Sequence, residues 1–186
     1  PVEPIEAPFR PMAPKPAGPT IDGAAPPPPA RILPASASPA GQALARMGAV
    51  DRRFDAARFL DGAEGAFRII VTAFAAGDRA ALQPLLSEET WRAFEGAIAA
   101  REAAGETQRT EIRSIESAVI EQADLRGTIA DITVRIVSDQ INLTLGHDGL
   151  PVAGTDAVTE ITDLWTFERN LTATDPTWRL VAARSA

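Results

Sequence analysis

Phe67-Arg-Ile-Ile-Val-Thr-Ala-Phe-Ala-Ala-Gly-Asp78 is the stretch that decides the fold. Apolar residues at Phe59, Ala63, Phe67, Ile70 and Phe74 recur every three or four positions, which places them on one face of an α-helix. Gly77 then offers the left-handed backbone that ends a helix without steric cost. Asp78 follows with a side-chain oxygen suited to capping the next one. A helix this apolar on one side requires a packed partner, so it belongs to a domain with a core.

Toward the C-terminus, residues 79–86 predict a short second helix with Leu82, Leu85 and Leu86 inward and Pro84 in its first turns. Ser87 caps a third, with Glu88 and Glu89 suited to the positive end of the helix dipole. Its bulky face is Trp91, Phe94, Ile98 and Arg101, and Gly105 ends it. The period then falls to two. Residues 111–122 predict an irregular strand with a bulge near Glu116 and Ser117. In 128–137, Ala130, Ile132, Val134 and Ile136 share one face and Asp131, Thr133 and Arg135 the other. Residues 140–145 continue the strand pattern, and His147-Asp-Gly149 supplies hairpin-turn chemistry. Residues 158–170 alternate Thr159, Ile161, Asp163, Trp165 and Phe167 against Glu160, Thr162, Leu164 and Thr166. A turn at Asp175-Pro176 leads to a last strand over 178–183.

Toward the N-terminus, residues 51–76 read as one long helix. Gly62 and Gly65 weaken it, and a close approach to the sheet is one reason for them. Alanine-rich residues 40–49 predict a short leading helix. Helices followed by a strand meander give an α+β domain over 41–186, with N-terminal helices packed on a curved antiparallel sheet. Its expected core is Phe59, Phe67, Ile70, Phe74, Leu85, Trp91, Phe94, Ile98, Ile132, Val134, Ile136, Trp165 and Phe167.

Thirteen of the 16 prolines lie at or before Pro39. Proline removes a backbone donor, and the segment has few large apolar residues to bury, so residues 1–40 read as a disordered Pro/Ala-rich linker. The net charge of −7 falls on the remainder, because acids and bases balance in the linker. An acidic domain is a poor general binder of nucleic acid. With no cysteine and one histidine, the sequence predicts no metal centre, no thiol chemistry and no cofactor. The chain opens on Pro1, and the expectation is that a segment upstream has been removed.

Several ordered pieces carry a resemblance. They are Phe54-Asp-Ala-Ala-Arg-Phe-Leu-Asp-Gly-Ala63, Ala66-Phe-Arg-Ile-Ile-Val-Thr-Ala-Phe-Ala-Ala-Gly-Asp78 and Leu82-Gln-Pro-Leu-Leu-Ser87. Phe94-Glu-Gly-Ala-Ile-Ala-Ala-Arg-Glu102, Asp163-Leu-Trp-Thr-Phe-Glu-Arg169 and Asp175-Pro-Thr-Trp-Arg-Leu180 follow. Together they resemble the Tim44-like domain family, in its alphaproteobacterial TimA-type adaptor branch. Thr177 stands where that family often has asparagine, a change confined to the turn. The resemblance implies a cone-shaped fold related to the nuclear transport factor two superfamily and a non-enzymatic, membrane-associated adaptor. It also implies a link to protein translocation or membrane-protein assembly, and a partner that is membrane lipid or a membrane protein. Localisation would be at the inner membrane, on its cytoplasmic face, through an N-terminal anchor absent from this chain.

Two candidate sites follow. Phe67, Val71, Phe74, Trp91, Phe94, Trp165 and Phe167 are core by spacing, or the lining of a hydrophobic pocket for lipid or peptide if the sheet curls away from the helices. Arg46, Arg52, Arg53 and Arg58 are either a basic face for an anionic membrane or partner, or a solvated face neutralised by Asp51, Asp55 and Asp61. No catalytic residue is predicted, since His147 lies in turn chemistry. The alternative is a small hydrophobic-ligand-binding protein or a ketosteroid-isomerase-like enzyme of the same superfamily, using Asp131 or Asp163 as its pocket carboxylate. The chain has no tyrosine to serve as oxyanion donor.

Overall fold

The computed structural model describes residues 28–186; the expected linker over 1–27 lies outside them. Within the remainder of that linker, Ala30–Ile32 forms a strand, β1, and the first helix begins at Pro39. Helix α1 (Pro39–Val50) starts where the Ser38 hydroxyl accepts the Gly41 N–H and proline occupies the first turn. Helix α2 (Ala56–Ala76) starts at Asp55, whose carboxylate accepts the Arg58 N–H at 2.8 Å. The long helix expected over 51–76 is thus shorter, because Asp51 and Asp55 turn the chain through residues 51–55 before it can begin. Gly77 ends α2 at φ 69°, and the Asp78 N–H returns to the Ala73 carbonyl at 2.8 Å. A short α3 (Arg79–Leu82) runs into a 3₁₀ turn, and α4 (Glu88–Ala103) is capped by Ser87.

Strands β2 (Thr107–Arg126), β3 (Ile129–Leu145), β4 (Pro151–Asn170) and β5 (Arg179–Ser185) form an antiparallel meander. β1 joins β2 in parallel, so the sheet is mixed, where the sequence predicted an antiparallel one. It is curved and does not close. The strands run longer than the alternation suggests, since bulges let a strand continue past a break in its pattern. β2 shifts register three times, once between Ile115 and Ser117, where a bulge was expected. Another shift lies between β3 and β4, near Gly154, which sits at φ 78°. A Cβ on Gly154 would meet the Asn142 carbonyl oxygen at 2.1 Å.

All helices contribute to one apolar layer on one face of this sheet. Phe67 packs against Trp165 at 4.7 Å between ring centroids with the rings tilted by 57°, and Phe74 meets Phe94 edge-on at 5.2 Å. Leu85 and Trp91, expected in the core, are half-buried; Leu82, Leu86 and Met47 are buried. Gly62 and Gly65 have open space where a Cβ would stand, so no close approach to the sheet explains them.

Candidate functional site

The residues expected to line a hydrophobic pocket are the core itself. Phe67, Val71, Phe74, Phe94, Trp165 and Phe167 are buried and pack on one another, and Trp91 lies half-buried at the margin. Phe167 also lines a groove of about 330 Å³ at the other end of α2.

This groove is built by three segments. The turn before α2 supplies Arg53 and Phe54, α2 supplies Arg58, Phe59 and the small residues Gly62, Ala63 and Ala66, and β4 with the segment leading into β5 supplies Phe167, Arg169 and Trp178. Its floor is aromatic: Phe59 meets Trp178 edge-on at 4.8 Å and Phe167 at 6.0 Å, and Phe54 lies 6.0 Å from Trp178. Arginines rim that floor. Arg169 pairs with Asp51 at 3.2 Å with both side chains nearly buried, while its Nε has no partner. The Arg53 N–H reaches Asp51 Oδ1 at 3.0 Å; that hydrogen bond, with the nearby Arg169 and Arg53 charges, lowers the Asp51 carboxyl below its ordinary value.

The carboxylates expected to neutralise the basic cluster are therefore committed elsewhere. Asp51 holds Arg169, Asp55 caps α2, and Asp61 pairs with Arg31 of β1. Among the described residues no carboxylate pairs with Arg46, Arg52 or Arg58, and Arg53 keeps only a 3.8 Å approach to Asp51. The four arginines do not share one helix face. Arg46 is on α1, Arg52 and Arg53 are in the intervening turn, and Arg58 is on α2; only Arg53 and Arg58 line the groove.

Sequence reasoning missed Arg169 and Trp178. The alternation of Trp165 and Phe167, carried one step further, puts Arg169 on the same inward face, opposite Ala130. Trp178 had no such signal, because it precedes β5 in an irregular segment.

The other candidates separate. His147 is exposed in the turn between β3 and β4. Asp131 faces away from the helices. Asp163 faces the core, opposite Ile136, only 2% exposed; its Oδ2 has no partner, and burial pushes its carboxyl up to about 7. On the same face of β3, Ser138, Gln140 and Asn142 are hydrogen-bonded in series, and the chain runs through Thr110 and Gln108 to Arg101. Arg101 Nη2 in turn donates to the Phe74 carbonyl at 2.7 Å, at the end of α2. No group of three or more metal-ligating side chains occurs among the described residues. None of their helices is long and apolar enough to cross a membrane.

No curated protein matches the chain. The crystal structure of the intermembrane space region of the chloroplast protein ARC6 is similar, with a TM-score of 0.51 and 11% identity over 72% of this chain and 97% of that one. Such a likeness speaks for the fold alone. The Tim44-like domain model matches residues 40–185, the stretch that contains the helices, the meander and the groove between them. This chain therefore belongs to the Tim44-like domain family, whose members are membrane-associated.

Proposed function

We propose that the domain is a non-enzymatic adaptor that docks on an anionic membrane surface, or on an acidic segment of a membrane protein, through the arginine-rimmed groove. The observation that carries this reading is the pair Arg53 and Arg58 beside an aromatic floor: Arg58 has no carboxylate partner among the described residues, and Arg53 has only a 3.8 Å approach to Asp51. Unpaired cations attract anionic headgroups or acidic side chains at roughly 1 kcal/mol each near a charged surface, and the aromatic floor adds apolar contact. A role in protein translocation or membrane-protein assembly, and a place at the inner membrane through an upstream anchor, belong to the same reading. So does the expected TimA-type branch.

Flotation with vesicles tests it. The protein is expected to float with vesicles containing anionic lipid and not with zwitterionic ones, and Arg53→Glu with Arg58→Glu is expected to abolish flotation. Flotation unaffected by that charge reversal contradicts the groove. Absence of flotation, with acidic segments of membrane proteins captured instead, assigns docking to a protein.

Asp163 favours a second reading, a small-ligand or proton-transfer site in the interior, because a buried carboxyl that titrates near neutrality suits a general base. Soaking with small hydrophobic ketones tests it. Ligand density beside Asp163 supports this reading, and an unchanged interior contradicts it.

A further inference from the structure

The face of the sheet opposite the helices carries a second groove, of about 950 Å³, walled at the β1 edge by residues between Pro34 and Ala40. Glu121, Asp124, Asp131 and Glu168 line it and no basic side chain does. Arg126 reaches Asp131 at 2.6 Å and Glu168 at 3.4 Å from the margin, and Arg135 pairs with Glu121. Even so, Asp131 Oδ1 is buried without a partner. Burial and the adjacent Asp131 carboxylate raise the Glu168 carboxyl above its ordinary value, against the pull of Arg126. The groove is short of positive charge.

The chain carries a segment of matching chemistry. Residues 7–19 hold Arg10 and Lys15 and no carboxylate, with prolines at 8, 11, 14, 16 and 19 beside Phe9 and Met12. Those apolar rings and side chains suit the proline, alanine and valine surfaces of the groove. Reach is ample. Ala30 pairs with Ser117, so the chain enters four residues of β2 before Glu121, or about 13 Å along the strand. From Lys15 to residue 28 an extended chain spans about 40 Å.

We propose that residues 8–16 dock in this groove as an intramolecular ligand, Arg10 and Lys15 facing its carboxylates. Covalent linkage gives the segment an effective concentration on the order of millimolar, so modest contacts hold it. A basic segment of another protein reaches this face only by displacing it.

Lys15 is the only lysine, which makes zero-length carbodiimide crosslinking of the full chain a direct test. The expected result is amide bonds from Lys15 to Glu121, Asp124, Asp131 or Glu168 of the same chain. Their yield is expected to fall about fivefold or more at about 0.5 M NaCl, where charge pairs are screened, and similarly in Arg10→Ala. Crosslinks from Lys15 to carboxylates outside the groove, crosslinks only between chains, or none at all overturn the proposal.

Discussion

Asp163, which is buried, and Asp51, which is half-buried, respond oppositely to their surroundings. Asp51 has Arg169 and a backbone N–H, which favour its charge; Asp163 has neither. The folded protein keeps a proton on Asp163 up to about pH 7, whereas the unfolded chain loses it near 3.8. Folding is thus opposed progressively as pH rises between those values, and stays opposed above them. Asp163→Asn is expected to stabilise the protein at pH 8 by on the order of 2–4 kcal/mol, with the gain vanishing below about pH 4 in denaturant titrations. Asp51→Ala acts the other way. It leaves the nearly buried Arg169 guanidinium without its counter-charge, and is expected to lower stability in the same measurement at pH 7. The sequence placed Asp163 on the inward face by its alternation with Trp165 and Phe167. Its lack of a partner was not legible, because that depends on what the neighbouring strands present.

At the scale of elements, helix α2 was legible from its apolar period and its terminal glycine. Its start was not, since Arg52 to Phe54 keep a helical-looking composition while Asp51 and Asp55 use their side chains to bend the backbone. That error had a consequence: it joined four arginines into one face that the turn divides. The strands show the reverse. Their inward residues follow the alternation closely, yet their lengths exceed it, because bulges restore the register after each break. Gly62→Ala and Gly65→Ala replace helical glycines with open space at Cβ. Each is expected to raise stability by about 0.5–1 kcal/mol, read as an upward shift of the thermal midpoint. Gly154→Ala combines a left-handed backbone with a collision against Asn142, and is expected to destabilise by about 2 kcal/mol or more.

For the whole molecule, the α+β architecture was readable because helices and strands occupy separate halves of the chain. β1 escaped notice: it lies in proline-rich sequence and is held by pairing to β2 and by the Arg31 ion pairs to Asp61 and Glu64. The aromatic residues named as core or pocket lining are buried, with Trp91 half-buried at the margin; spacing identifies an inward face without telling whether anything fills the space before it. The groove forms where the turn before α2, α2 itself and the β4–β5 end of the sheet meet, so Arg53, Arg58, Phe59 and Phe167 were visible in advance and Arg169 and Trp178 were not. Trp178 stands in that groove and reports on it, whereas Trp165 is buried and Trp91 lies elsewhere. The most direct test is therefore the emission of Trp178 in Trp91→Phe protein titrated with anionic vesicles. A saturating blue shift is predicted, absent with zwitterionic vesicles and absent in Arg53→Glu with Arg58→Glu. Protein that binds the anionic vesicles while Trp178 emission stays unshifted would contradict docking through the groove.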